Sequence, residues 1–273
     1  MTEIAWIASY PKAGNTWLRF MLTAYLNDGP VTSIDQLQTA VPDLHKMLGG
    51  GETLPVGDGA DRLLAKTHFL PDVGLMQLYR EQTAKAVYLI RNPRDVMLSA
   101  MRHMGIPRTD LASCRRFAED FIANEGHSFW RDHFGQGSWT TNVRSWTDRD
   151  TIRTHFPNIE VLPVKYEDMR ADPAGWLRRI LEFLDLGRPL GDDVIDKAVA
   201  NSTFEVMRDL ERRSALDAPG FSPFGGQGEF VGKGLHNQSL DFIGPDVEAA
   251  YRRRAEGGGD FAACLREFGY ERG

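Results

Sequence analysis

Residues 4–22 of the chain read Ile-Ala-Trp-Ile-Ala-Ser-Tyr-Pro-Lys-Ala-Gly-Asn-Thr-Trp-Leu-Arg-Phe-Met-Leu. The apolar run from Ile4 to Ala8 predicts a short buried strand. Pro11 cannot continue a β-ladder, and Gly14 allows the backbone angles of a tight turn. The apolar side chains that follow share one helical face, and they are Leu18, Met21, Leu22 and Tyr25. The order of strand, turn and helix predicts an α/β fold.

The turn between this strand and helix has the features of an anion site. Backbone N–H groups of residues 13–17 converge at the helix N-terminus, where the helix dipole also favours negative charge. Lys12 adds a cation and Thr16 a hydroxyl. A Walker A loop places its lysine just before the helix, next to a Ser or Thr that binds Mg²⁺, whereas Lys12 comes earlier. A phosphate loop without a metal and an ordinary surface turn both fit these residues.

Composition limits the classes of protein and partner. The 273 residues suffice for one large domain or two small ones, and the net charge of −6 disfavours nucleic acid as a partner. Cys114 and Cys264 lack metal-ligand spacing, which predicts two free thiols in a reducing cytosol. No basic leader and no run of 18 apolar residues stands out in the sequence. The expectation is a cytoplasmic protein without a signal peptide or membrane span.

A second strand is predicted at Leu63–Lys66, with Thr67 and His68 just past its carboxyl end. In open α/β sheets, ligands bind at this edge of the sheet. A histidine after an apolar run is more often structural than catalytic. A buried structural histidine and a catalytic base therefore both remain open for His68.

The strongest strand pattern is Ala86–Ile90, which leads directly into Arg91. Asn92 followed by Pro93 predicts a helix N-cap with proline at the first helical position. Ser99 can share the helix face near Arg91. An arginine supplies a bidentate fork for phosphate and a serine supplies a hydroxyl. A second phosphate site at the same sheet edge and a capped helix with a solvated arginine are the two alternatives.

The remainder of the chain predicts a fourth strand, several helices and two less regular regions. The strand covers residues 159–165 and is followed by Tyr166. Helices are predicted at residues 35–48, 109–124, 138–146, 172–184, 192–199, 246–256 and 260–268. Residues 125–137 are rich in aromatic side chains and show no regular period. They are expected to be irregular and are a candidate for the acceptor pocket. Pro and Gly residues in 214–230 predict a flexible lid.

Three motifs together resemble the sulfotransferases that use 3′-phosphoadenosine 5′-phosphosulfate (PAPS). They are Ser9–Trp17, Lys66-Thr67-His68 and Arg91–Ser99. The resemblance implies a three-layer, P-loop-like α/β fold with a mostly parallel sheet and helices on both faces. It also implies a single domain over residues 1–273, with acceptor-site insertions at 102–150 and the lid at 214–230.

The resemblance also implies roles for individual residues. Catalytic roles fall to Lys12, His68 and Ser99. Cosubstrate binding falls to Lys12, Ala13, Gly14, Asn15, Thr16, Trp17, Arg91, Ser99, Tyr166, Lys233 and Gly234. Most relatives have an arginine where this chain has Gly232, so another cation would have to replace it. A histidine that titrates near neutrality suits the removal of a proton from a phenol.

The implied reaction transfers the sulfuryl group of PAPS to a hydroxyl, with phenols favoured and no metal required. Short matches at 121–126, 137–139, 142–146 and 238–240 resemble bacterial enzymes that sulfate glycopeptide antibiotics of the teicoplanin-aglycone type. The expected partner is a small hydroxylated acceptor, without nucleic acid or membrane, and a homodimer is also compatible. A small-molecule kinase, which would need a metal-binding acid, and a non-catalytic nucleotide-binding module are the rival functions.

Overall fold

A central sheet of four parallel strands organises the protein. The computed structural model describes residues 2–57, 61–217 and 238–271. The strands are β1 (Glu3–Ser9), β2 (Arg62–Thr67), β3 (Thr83–Ile90) and β4 (Glu160–Lys165), in the spatial order β2-β1-β3-β4. Every pair of neighbouring strands is parallel. All four predicted strands are therefore confirmed, with ends within three residues of the predicted ones.

Fifteen helices occupy the described part of the chain. They are α1 (Asn15–Leu26), α2 (Ile34–Ala40), α3 (Leu44–Gly49), α4 (Gly74–Gln77), α5 (Pro93–His103), α6 (Leu111–Asn124), α7 (Ser128–His133), α8 (Trp139–Thr147), α9 (Arg149–His155), α10 (Tyr166–Ala171), α11 (Pro173–Leu184), α12 (Asp192–Ala200), α13 (Phe204–Asp217), α14 (Pro245–Ala255) and α15 (Asp260–Phe268).

Helices cover both faces of the sheet and make a three-layer α/β fold. On one face, Trp6 and Tyr88 pack with apolar side chains of α5, α6, α8, α14 and α15. On the other, Ile7 and Leu89 pack with α1, α11, α12 and α13. Successive strand residues point to opposite faces, so a strand buried on both sides must be apolar throughout. This requirement is why the two central strands contain the continuous apolar runs Ile4–Ala8 of β1 and Ala86–Ile90 of β3.

The parallel topology brings four strand ends to one edge. Ser9, Thr67, Ile90 and Lys165 end β1 to β4 at this carboxyl edge. The Asn15 side chain donates hydrogen bonds to the Ile7 carbonyl at 2.9 Å and to the Ser9 hydroxyl at 3.2 Å. These bonds tie the first turn of α1 to the end of β1. The loop between them is therefore fixed beside the other strand ends.

Three expectations about secondary structure need correction. The single helix predicted at 35–48 is two helices, α2 and α3, because Pro42 disfavours helical angles in the residue before it. The stretch 125–137 is not wholly irregular, since α7 lies within it. Residues 214–217 belong to α13 rather than to a lid, and 218–230 lie outside the described residues.

Two further expectations concern the whole chain. Cys114 and Cys264 are both free, as predicted, and the structure places both in buried positions. No helix among residues 2–57, 61–217 and 238–271 combines the length and the apolar character needed to cross a bilayer.

Candidate active site

A cleft at the carboxyl edge of the sheet collects most of the predicted site residues. Nine of them line it, namely Lys12, Gly14, Asn15, Thr16, Trp17, His68, Arg91, Ser99 and Tyr166. Ala13 is buried behind the cleft wall, with 1% of its surface exposed. Lys233 and Gly234 lie outside the described residues. Residues from three separate motifs thus share one cleft.

The loop before α1 has the geometry of an anion cradle. Lys12 and Gly14 both have positive φ angles, of 69° and 101°. A Cβ atom on Gly14 would lie 2.5 Å from the Tyr166 ring, so glycine is required there for space as well as for conformation. The amide of Trp17 donates to the Gly14 carbonyl at 3.0 Å. Among the described residues, the amides of residues 14–16 remain as the first-turn donors of α1.

The cleft carries a strong excess of positive charge. Six cationic side chains of the described residues line it, and they are Lys12, Arg19, Lys46, Lys66, Arg91 and Arg102. Asp43 is the one carboxylate among the described lining residues. Burial, and then the charges of Arg102 and Arg91, hold the pKa of the Lys12 ammonium well below its usual value. A bound polyanion would offset the part of this shift that comes from the two arginines, so the charge distribution suits a ligand with several negative groups.

Asp43 joins this cluster through the backbone as well as through its side chain. Its Oδ2 lies 2.9 Å from Lys66 Nζ and 4.0 Å from Arg19 Nη1, and all three side chains are at most 10% exposed. The backbone of Asp43 forms a parallel bridge with Lys66, and Asp43 Oδ1 caps α3 by accepting from the His45 amide. Burial alone would raise the pKa of Asp43, but the charges of Lys66 and Arg19 outweigh it and hold this pKa far below its usual value.

The hydrogen bonds of His68 define its tautomer. Its Nδ1 lies 2.7 Å from the Ser9 carbonyl oxygen, which can only accept. Nδ1 therefore carries the proton and Nε2 carries the lone pair. Burial, followed by the charges of Lys66 and His45, holds the pKa of His68 well below its usual value. The expectation of titration near neutrality is thus wrong for the unliganded protein, in which His68 is neutral.

Asn142 connects His68 to the segment that follows α7. Its Nδ2 donates to the His68 carbonyl at 3.0 Å and to the Gln136 carbonyl at 2.7 Å. Its Oδ1 accepts from the Tyr88 hydroxyl at 2.7 Å. Three hydrogen bonds of this buried amide are therefore directed at the strand β3, the end of β2 and the acceptor-side segment. Asn142 fixes His68 and Gln136 relative to each other.

Aromatic rings form the other end of the cleft. The Trp17 ring lies 5.4 Å from the Phe204 ring at an interplanar angle of 31°, and 5.9 Å from the Tyr166 ring at 70°. Trp17 Nε1 donates to the Ser202 carbonyl at 3.0 Å, which fixes the indole. The Arg91 guanidinium stacks 4.3 Å from the Tyr166 ring centre. Flat rings beside a guanidinium suit a planar base linked to phosphate.

Several cleft residues were not found by sequence reasoning. Beyond the predicted set, the lining includes Asp43, His45, Arg102, His103, Trp130, Gln136 and Phe204. Burial and the charge of Lys12 lower the pKa of His103 to about 3. Trp130 falls in the aromatic stretch predicted at 125–137. Asp43 and Gln136 have no comparable local signal.

A metal centre finds no support in the described residues. Across residues 2–57, 61–217 and 238–271, no three His, Cys, Asp or Glu side chains group in a way that could hold a metal ion. The anion cradle and the six cations fit a phosphorylated ligand.

Comparisons with known sequences agree on one family. The family described as "Sulfotransferase domain" matches residues 3–237. Sulfotransferase 1B1 of Canis lupus familiaris is 31% identical over 212 residues, and Sulfotransferase 1E1 of Bos taurus is 30% identical over 213. Each alignment covers 74% of this chain and 65% of the relative. The match therefore spans slightly less than two thirds of those proteins.

Solved structures show the same fold. Mouse sulfotransferase SULT7A1 complexed with PAP aligns with a TM-score of 0.57 and 19% identity, over 98% of this chain and 88% of that one. Retinol dehydratase in complex with androsterone and inactive cofactor PAP aligns with a TM-score of 0.54 and 19% identity, over 93% and 80%. Identities this low establish the shared α/β fold alone. Together with the family match over residues 3–237, they lead to one conclusion: the chain belongs to the sulfotransferase family.

Proposed function

We propose that the protein is a PAPS-dependent sulfotransferase that acts on a hydroxyl, preferably phenolic, of a small molecule. The observation that carries the proposal is the convergence of Lys12, His68, Arg91 and Ser99 on one strongly cationic cleft. These residues come from three segments that are far apart in sequence. A cradle for one phosphate and an Arg–Ser pair for another are what a 3′,5′-bisphosphate nucleotide requires.

The proposed binding mode uses both ends of the cleft. Amides of residues 14–16 and the Thr16 hydroxyl hold the 5′ phosphate at the N-terminus of α1. Arg91 and Ser99 hold the 3′ phosphate, and Arg91 is already oriented by its bond to the Lys12 carbonyl at 3.0 Å. The base lies with Trp17, Phe204 and Tyr166. Lys233 and Gly234 stay in the proposal as further ligands of the 3′ phosphate.

The proposed mechanism assigns one task to each catalytic side chain. PAPS supplies the sulfuryl group when bound. His68 Nε2 accepts the proton of the acceptor hydroxyl while that oxygen forms its bond to sulfur. Lys12 stabilises the negative charge left on the 5′-phosphate oxygen as its bond to sulfur breaks. Ser99 lies in the same cleft and holds the Lys12 ammonium until the acceptor is in place.

Ligand binding should also change the basicity of His68. In the unliganded cleft, burial and then the charge of Lys66 hold the pKa of His68 low. The negative charges of a bound nucleotide offset the charge of Lys66 and raise the pKa toward the neutral range, where a general base is most effective. The proposed site therefore gains its base strength together with its cosubstrate.

A titration and a turnover assay test the proposed function. We expect adenosine 3′,5′-bisphosphate (PAP) to bind much more tightly than ATP, in the presence or absence of a chelator. With PAPS, a panel of phenols should gain the mass of one SO₃ group, and chelation should leave the rate unchanged. Strict dependence on Mg²⁺ with turnover of ATP would support a kinase instead. Tight binding of PAP without any transfer would support a non-catalytic nucleotide-binding module.

The acceptor proposed in more detail is a glycopeptide-antibiotic aglycone of the teicoplanin type. Its support is the set of short sequence matches at 121–126, 137–139, 142–146 and 238–240. Sulfation of such an aglycone at a rate above that of simple phenols would support it, and no transfer to it would contradict it.

The remaining expectations concern the whole protein. They are a single domain over residues 1–273 with acceptor-site insertions at 102–150, a cytoplasmic location and a homodimer. Light scattering after size-exclusion chromatography measures the oligomeric state directly, and a monomer at micromolar concentration would contradict the dimer.

A further inference from the structure

The Gln136 side chain has an unusual environment in the cleft. It is 5% exposed, and its Nε2 lies 3.4 Å from His45 Nε2. Its Oε1 is buried and has no hydrogen-bond partner among the described residues. Buried amide oxygens in folded proteins are nearly always paired, because an unpaired one loses the hydrogen bonds it makes in water. An unpaired oxygen in the wall of a cleft indicates a ligand group that completes it.

The neighbours of Gln136 hold its amide in this orientation. Burial, and then the charge of Lys66, lowers the pKa of His45 to about 4, so its imidazole is neutral at pH 7. An amide N–H can only donate, which makes His45 Nε2 the acceptor of the 3.4 Å contact. The His45 ring is itself fixed by stacking on Phe69, with centroids 3.8 Å apart. The Oε1 atom is thereby turned away from His45.

Gln136 also lies beside the proposed base. Asn142 bonds to the main-chain carbonyls of both Gln136 and His68, and the His45 and His68 rings are 6.2 Å apart. All four residues thus belong to one rigid wall. An acceptor molecule whose hydroxyl reaches His68 brings its neighbouring substituents toward Gln136.

We infer that Gln136 Oε1 accepts a hydrogen bond from a second donor group of the acceptor, and that the preferred acceptors are aromatic rings with two hydroxyl groups. This inference rests on the proposed function, since it concerns the acceptor end of the same cleft. A ring with one hydroxyl leaves Oε1 unpaired, which weakens its binding. An ether oxygen at the second position has no proton to donate and should behave like a missing group.

Acceptor binding to the PAP-loaded protein tests the inference without requiring turnover. The probes are phenol, the three dihydroxybenzenes and the monomethyl ether of each. We expect at least one dihydroxybenzene to bind about tenfold more tightly than its own ether, the range for one hydrogen bond in a desolvated site. In Gln136→Leu this preference should fall below about twofold. Gln136→Glu keeps an acceptor oxygen and should retain the preference for the diol. This second variant keeps the test decisive if the leucine variant does not fold.

Gln77→Leu provides a matched control, because Gln77 is a half-buried glutamine whose side chain bonds to the Pro71 carbonyl outside the cleft. It should leave the preference unchanged. Equal binding of diols and ethers by the wild type, or a preference that survives in Gln136→Leu, overturns the inference. Transfer of sulfate from PAPS is measured separately. A diol preference without any sulfate transfer supports the inference and contradicts the proposed function. Sulfate transfer without a diol preference supports the proposed function and contradicts the inference.

Discussion

Replacing Asp43 with asparagine should destabilise the unliganded protein while strengthening its binding of anions. The carboxylate of Asp43 lies 2.9 Å from the Lys66 ammonium, and both side chains are at most 10% exposed. Asparagine has nearly the same shape and can still cap α3 through its Oδ1, so the change removes charge and little else. Lys66 is then left buried without its counter-charge.

The expected loss follows from the contacts of the two cations. Removing one partner of a buried ion pair costs about 3–5 kcal/mol. Arg19 contributes little to this loss, because its guanidinium also donates to the Leu37 and Val41 carbonyls. Burial already lowers the pKa of Lys66, so the ammonium can release its proton and limit the penalty. We therefore expect a loss at the lower end, about 3 kcal/mol at pH 7.5.

The interaction between Asp43 and Lys66 should also affect how the stability of the protein depends on pH. The pKa of Asp43 is lowered in the folded protein relative to its unfolded value of about 3.9. The wild-type pair is therefore fully stabilising above about pH 4, and its contribution is lost as the pH falls further toward the folded-state pKa. The Asp43→Asn variant lacks this carboxyl, so its difference from the wild type should shrink below pH 4.

Urea unfolding with and without PAP measures both expected effects. The control is Asp28→Asn, which removes the charge from an exposed ion pair between Asp28 and Lys197. Asp28 has a φ of 50°, a conformation that asparagine adopts readily, and the loss there should be at most about 1 kcal/mol. PAP should stabilise Asp43→Asn more than the wild type, because the cleft has lost its described carboxylate.

Two results would refute this reasoning. One is a loss of stability in Asp43→Asn no larger than in Asp28→Asn, which would mean that the buried pair makes no net contribution. The other is weaker stabilisation of Asp43→Asn by PAP, which would mean that Asp43 helps to bind the nucleotide rather than opposing it.

Four further predictions test other parts of the site. Lys12→Ala should lower kcat by on the order of 100-fold or more with little change in stability; retention of a tenth of the wild-type rate would remove its transition-state role. Arg91→Ala should weaken PAP far more than adenosine 5′-phosphate in binding titrations, and equal losses would contradict the 3′-phosphate assignment. His68→Ala should lower kcat by about 10²–10⁴-fold, with a smaller defect for more acidic phenols; a constant defect across the phenol series would exclude proton transfer by His68. His45 and His103 have lowered pKa values, of about 4 and 3, so both are neutral in the folded protein and bind protons more readily when unfolded. Stability should therefore fall as the pH drops below about 6.5, and a Tm that is constant from pH 7 to 5 would contradict this assignment.

The sheet and most helices follow from the sequence because their signals are local. A strand buried on both faces must be apolar throughout, and Ile4–Ala8 and Ala86–Ile90 meet that requirement. The break between α2 and α3 was missed although Pro42 marks it, because the apolar spacing on both sides resembles one helix. The helix α7 was missed because it is only six residues long, and its aromatic residues show no clear period.

The site residues also form two groups, those that a local sequence motif predicts and those that only tertiary contacts bring into the cleft. Lys12, His68 and Arg91 each stand in a motif at the end of a strand, and parallel strands bring those ends together. Asp43 enters the site through a backbone bridge to Lys66, and Gln136 enters it through Asn142. Both contacts join segments more than five residues apart in sequence, with no shared pattern. Only the folded chain reveals them.

The ring pair of Trp17 and Phe204 also gives the protein an intrinsic optical reporter. Of the six tryptophans in the chain, Trp6, Trp139 and Trp146 are fully buried, while Trp17 and Trp130 line the cleft. A purine that stacks on the Trp17 indole would quench its fluorescence, whereas the buried tryptophans would emit a constant background. Nucleotide binding can therefore be followed without a label, and a Trp130→Phe variant would separate emission changes at the base from those at the acceptor end.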